Sequence, residues 1–131
     1  MNKTIVVIGD SYVNLNNAEK IFKDEGLNNY KIEMHTDYKK LKKLNYEKYK
    51  YNDSYVAILC GPIPHSTNQK YYSSSILNEM ETCDGYPLVV RLSANSTYKI
   101  TNSSIRKGLE EFKEKYNNRY CVNVNVGELN E

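Results

Sequence analysis

Both histidines of this chain and one of its three arginines stand at or just past the ends of short apolar runs. His35 follows YKIEM, His65 lies in the loop GPIPHST after SYVAILC, Arg91 sits within PLVVRL, and Asp10 closes TIVVIGD. Imidazole can donate, accept or carry charge near neutral pH, and a guanidinium offers a planar fork matched to phosphate or carboxylate. Their neighbours are small and polar or aromatic: Ser11 and Tyr12 after Asp10, Gly61 before the prolines, Ser66 and Thr67 after His65, Ser93 after Arg91, and Ser103 in the polar start NSSIRK. Such a set can hold an anion. Arg91 and the helix starts at Ser66, Thr67 and Ser103 would take the charge, Asp10 and the histidines would orient the ligand, and Tyr12 would stack on a base. Fifteen of the 18 basic residues are lysine, so an arginine kept at position 91 points to the geometry of its fork rather than to charge alone.

Other chemistries with local signatures are not indicated. The chain has no GxGxxG, no GxxxxGK[ST] and no GxSxG, so a dinucleotide fingerprint, a P-loop and a nucleophile elbow are all absent. A phosphoacceptor aspartate would stand at the end of the third strand, where Cys60 and Gly61 occur instead. Without HxH or HxxxH spacing no metal site is expected, and no cofactor is implied. Cys60, Cys83 and Cys121 are odd in number and widely spaced, which reads as reduced thiols rather than a disulfide framework. The catalytic alternative is a phosphodiesterase or glycosyl-bond hydrolase using His65 as general acid or base beside Asp10.

These residues need elements to position them. Thr4–Ile8, Tyr30–Met34, Ser54–Cys60 and Pro87–Leu92 read as strands, the first apolar on both faces as in a parallel sheet. Helices are expected from an Asn16 cap to Gly26, over a short piece of 38–51, over about 68–82, and from Asn102 with Ile105, Leu109 and Phe112 on one face. YCVNVNV alternates from Tyr120 to Val126, which predicts a fifth strand at a sheet edge. Alternating strands and helices imply right-handed βαβ units. The expected fold is therefore α/β: a three-layer doubly wound parallel sheet of Rossmann-like or flavodoxin-like type, about five strands in the order 2-1-3-4-5, as one domain over residues 1–131. In that order the ligand crevice lies between strands one and three at their carboxyl ends, and His35, Asp10, His65 and Arg91 form a row along it.

The 131 residues carry a formal net charge of +2, too little for an overall nucleic-acid signature. That total hides a local +5 between Tyr38 and Tyr51, where six lysines and one glutamate are interleaved with four tyrosines. Lysines with aromatics suit single-stranded nucleic acid, which makes Lys39, Lys40, Lys42 and Lys43 candidate contacts. No apolar run approaches the roughly 20 residues needed to span a bilayer, and no cleavable signal pattern is seen, so a cytoplasmic protein without membrane contact is expected. The 13 tyrosines and an edge strand would also suit a homodimer.

The glycine turn IGD, the histidine in EMHTDYKKLKK, the loop GPIPHS, and the Arg-Leu-Ser followed by TNSSIRKGLEEF together resemble a small Rossmann-like bacterial family catalogued as domain of unknown function 2325. The likeness covers about residues 3–112. It implies the same fold and a polar cluster at the sheet edge, and assigns no activity. The sequence departs from the family pattern in having Gly-Asp where a glycine pair is usual, and in lacking a glycine two residues beyond His35. Taken together, the residues read as a binding module for a nucleotide-like or otherwise phosphorylated small ligand rather than an enzyme.

Overall fold

The computed structural model describes residues 3–63, 76–94 and 97–128, and for 117–128 the course of the backbone only. Four parallel strands, β1 (Thr4–Ile8), β2 (Lys31–His35), β3 (Tyr55–Cys60) and β4 (Leu88–Arg91), form one sheet in the order β2-β1-β3-β4. β1 and β3 carry apolar residues on both faces, as central strands covered on both sides do, whereas the edge strand β2 alternates Ile32 and Met34 with Lys31, Glu33 and His35. Residues 5–8 of β1 and 57–60 of β3 are fully buried.

Strand parity sorts the core into two clusters. Ile5, Val7, Ala57, Leu59 and Val90 pack with α1 (Leu15–Asp24) and α4 (Asn102–Glu128) through Ile21, Phe22, Ile105, Leu109 and Phe112. Val6, Ile8, Ile58 and Cys60 pack with α2 (Tyr38–Leu41), a 3-10 turn at Tyr46–Tyr49 and α3 (Ile76–Thr82), through Leu41, Tyr46, Tyr49, Ile76, Leu77 and Met80. Across the first cluster, Arg106 pairs with Asp24 at 3.4 Å and Lys113 with Glu25 at 3.0 Å, joining α4 to the end of α1.

Several boundaries differ from those the sequence implies. α1 is capped by Asn14, whose side chain accepts from Asn17 N at 2.9 Å, two residues before the expected Asn16. It ends as expected at Gly26, which takes a positive φ of 76°. The polar stretch after β4 contains a short antiparallel pair, β5 (Ser93–Ala94) with β6 (Thr97–Tyr98). The expected fifth strand is not formed: Tyr120–Val126 lies inside α4, which runs unbroken for 27 residues. A helix already anchored by Ile105, Leu109 and Phe112 gains a backbone bond with each added residue, whereas a short alternating run gains its bonds only from a partner strand. The start of the third helix, expected near Asn68, lies outside the described residues.

Candidate functional site

The register of the sheet sets four residues side by side at its carboxyl edge: His35 beside Ile8, Ile8 beside Cys60, and Cys60 beside Arg91. Register partners in a parallel sheet point to the same face, here the face of α2 and α3. Three strand spacings of about 4.8 Å put His35 and Arg91 roughly 14 Å apart. Of the row expected from the sequence, His35, Asp10, His65 and Arg91, the register shows the two ends; between them stand Ile8 and Cys60 as an apolar floor, with Asp10 exposed two residues past Ile8 and His65 outside the described residues. Cys60 in that floor is fully buried, and burial pushes its thiol up to about 12, so it is a core residue and not a nucleophile.

At the β2 end, the Glu33 carboxylate is the focus of a cluster that the sequence did not reveal. It accepts from Tyr49 Oη at 2.6 Å and Tyr55 Oη at 3.2 Å, pairs with Lys48 Nζ at 3.2 Å, and lies 2.7 Å from His35 Nε2. Partial burial alone would raise its pKa. The bonds from Tyr49, His35 and Lys48, with the Lys48 charge, outweigh that and hold it at about 2. Tyr49 and Tyr55 are shifted up, first by burial and then by the carboxylate they donate to. An ionised carboxylate only accepts, so Nε2 of His35 carries the proton between them. Nδ1 then has the lone pair in the neutral ring, and no described residue bonds it. This is the arrangement in which a carboxylate orients a histidine as a base. Glu33 and His35 are two apart on one strand, which puts them on one face; the tyrosines come from distant segments.

At the β4 end, Arg91 spends its fork within the protein. Its Nε donates to Glu81 Oε2 at 2.7 Å, its Nη2 donates to Glu81 Oε1, and its Nη1 donates to Tyr98 Oη. The bond from Arg91 holds Glu81 below the usual carboxylate range, and Arg91 is itself shifted up by that bond. The planar geometry inferred from the sequence is used, with Glu81 rather than a ligand as the partner seen here. About half of the Arg91 side chain remains exposed.

The other face of the switch point is closed. A Cβ on Gly61 would lie within 2.9 Å of Ile100 Cδ1, and one on Gly9 would meet the same atom at 2.8 Å and the Gly61 backbone at 3.0 Å. Ile100, which precedes α4, therefore plugs the crevice between β1 and β3 from the side of α1 and α4. The loop amides there are also occupied: Gly9 N donates to His35 O, Asp10 N to Pro62 O, Ser11 N to Thr36 O, and Gly61 N to Ile8 O. Ser11 Oγ donates to Ile100 O at 3.1 Å and accepts from Val13 N at 3.0 Å, so it is structural. Ser103 is exposed, but the helix start it belongs to is capped by Thr101 and Ser104, each accepting the other's backbone N–H. Ser93 is exposed in the β5–β6 pair. Asp10 is exposed and Tyr12 wholly so. His65, Ser66 and Thr67 lie outside the described residues.

No family model, no curated protein and no solved structure matches this chain. The site is thus read from its own geometry. A concavity of about 530 Å³ lies elsewhere, between α1 and β2, lined by Leu15, Phe22, Tyr30 and Ile32 among others. It carries Glu19, Lys23 and Lys31 but no histidine or arginine, and for recognition of an anion the edge row is the better-equipped place. Among the described residues no group of acidic, histidine and cysteine side chains could hold a metal.

Proposed function

We propose that this chain is a binding module of Rossmann-like, three-layer type that takes a nucleotide-like or other phosphorylated small ligand at the carboxyl edge of its sheet. The observation that carries the reading is the in-register placement of His35 and Arg91 on one face, roughly 14 Å apart by strand spacing. That span suits a mononucleotide with its phosphate at one end and its base at the other. The exposed half of Arg91 would meet the phosphate, and the exposed ring of Tyr12, in the loop that Ser11 N ties to Thr36 O beside His35, would stack on the base. The likeness to domain of unknown function 2325 rests on these same loops and is proposed with the site.

One catalytic reading has a specific observation in its favour. The Glu33–His35 pair could activate a nucleophile against a bound phosphodiester, with Glu33 as the positioning residue. A homodimer is part of the proposal as well: β2 and β4 each pair on one side only within the described sheet, and such edges accept a second strand.

Native mass spectrometry of the purified chain tests all three. A phosphorylated small molecule should be carried by the folded protein and released on denaturation, with the mass of two chains in the complex. Arg91→Lys should weaken rebinding of that molecule about tenfold, because an ammonium cannot keep the bonds to Glu81 and Tyr98 and still present donors to a phosphate. Recovery of a cleaved product after incubation would decide for turnover. A ligand-free monomer that binds none of a panel of nucleotides and cyclic oligonucleotides would overturn the reading.

A further inference from the structure

The basic segment after β2 is not used by the edge site. The fold sorts its four tyrosines into two pairs. Tyr46 and Tyr49 are fully buried, Tyr46 Oη donating to Leu41 O at 3.0 Å, and they hold the segment to the sheet. Tyr38 and Tyr51 are left outside, 43% and 75% exposed. The lysines sort the same way. Leu41 is fully buried, so the residues on either side of it, Lys39, Lys40, Lys42 and Lys43, all stand in solvent. No described carboxylate pairs with any of the four, whereas Lys48 in the same segment is taken by Glu33. Lys42 Nζ lies 5.7 Å from the centre of the Tyr38 ring.

This surface adjoins the carboxyl edge. α2 begins three residues after His35, and the Ser11 N to Thr36 O bond brings the Tyr12 loop against the intervening turn. Two exposed rings, Tyr12 and Tyr38, therefore flank the turn that leads into four ammonium groups with which no described carboxylate pairs. Closely spaced positive charge beside sequence-tolerant stacking platforms is what a single strand of nucleic acid requires. A double helix offers no exposed base face to such rings. Asp37, which adjoins α2 in sequence, caps that helix by accepting from Lys39 N at 3.0 Å and forms no ion pair with the four lysines.

We infer that the α2 surface is a binding site for single-stranded nucleic acid, with Lys39, Lys40, Lys42 and Lys43 on the phosphates and Tyr38 stacked on a base. It rests on a different observation from the edge site and does not need it. The test is fluorescence anisotropy of the full chain with labelled twelve-nucleotide oligouridylate and oligothymidylate, from 50 to 300 mM salt. Binding should weaken linearly in log–log form, and the variant with all four lysines changed to glutamine should flatten the slope by about 3, since each phosphate contact on a single strand contributes about 0.7. Tyr38→Ala should weaken binding about fivefold or more and leave the slope unchanged. All five side chains are exposed, so circular dichroism should show both variants folded. No binding at 50 mM salt, a slope that the quadruple variant leaves unchanged, or equal affinity for a duplex of the same length would each overturn the inference. Loss of oligonucleotide binding in the quadruple lysine variant, with the small ligand still carried in native mass spectrometry, separates failure of the edge site from failure of this surface.

Discussion

Gly61→Ala should lower the unfolding free energy by about 1–3 kcal/mol, the cost of overpacking, and Ile100→Ala by about 2–4 kcal/mol, the cost of a cavity. The double variant should lose about 1–2 kcal/mol less than the sum. The three atoms nearest to a Cβ on Gly61 all belong to the Ile100 side chain, so removing that side chain vacates the space the new methyl needs. Gly9→Ala makes the contrast. Its Cβ would meet the Gly61 backbone at 3.0 Å as well, and its φ of 147° is one that L side chains rarely adopt, so Ile100→Ala should not rescue it. Urea unfolding with the m-value checked for each variant reads these differences. Strict additivity for the Gly61 pair would show that Ile100 does not fill the crevice in solution.

The second large effect is a pH dependence from Glu33. Its pKa is lowered from 4.5 to about 2 in the folded chain. A carboxyl with a depressed folded pKa binds protons more tightly when unfolded, so its contribution is complete above about pH 4.5 and is lost as pH falls toward 2. A gap of this size would correspond to about 3.4 kcal/mol. A quarter of the Glu33 side chain meets solvent, and screening brings the expected contribution to about 1–2 kcal/mol. Glu33→Gln should therefore be less stable by that amount at pH 7, and the difference from the parent protein should vanish near pH 2. Glu81, held down by Arg91, adds a slope of the same sign to both proteins, so the informative quantity is the difference between the two curves. Parallel curves from pH 7 to pH 2 would show that Glu33 is not the acceptor of this cluster.

What could be read from the residues follows physical lines. The four strands and their order were legible because three of the runs are apolar on both faces, the second alternates, and each stops at a glycine, an arginine or a polar turn. The two ends of the edge row, His35 and Arg91, followed from that order with no side-chain information; between them the register places Ile8 and Cys60, where the sequence suggested Asp10 and His65. The partners were not legible. Glu81 reaches Arg91 from another element, and Tyr49 and Tyr55 reach Glu33 across 16 and 22 residues of chain, distances over which no periodicity operates. One signal was present in KIEMH, where a glutamate and a histidine two apart must share a face otherwise lined by Val6 and Ile8. Ile100 was invisible for the opposite reason, as a single apolar residue in a polar stretch. The tail misled because tyrosine and valine recur at every second position from Tyr120 to Val126, a strand's period, while the helix that reaches them is fixed by packing some ten residues earlier.

The claim that the edge row is a ligand site is tested most directly by a ¹H–¹⁵N correlation titration of the full chain with adenosine monophosphate, guanosine monophosphate and inorganic pyrophosphate. The account predicts shifts at the amides of Gly9–Tyr12, His35, Thr36, Gly61, Leu92 and Ser93 and at the Arg91 Nε–H, with no matching change along the groove between α1 and β2. Shifts confined to Leu15, Phe22, Tyr30 and Ile32 in that groove, or none at millimolar ligand, would contradict it.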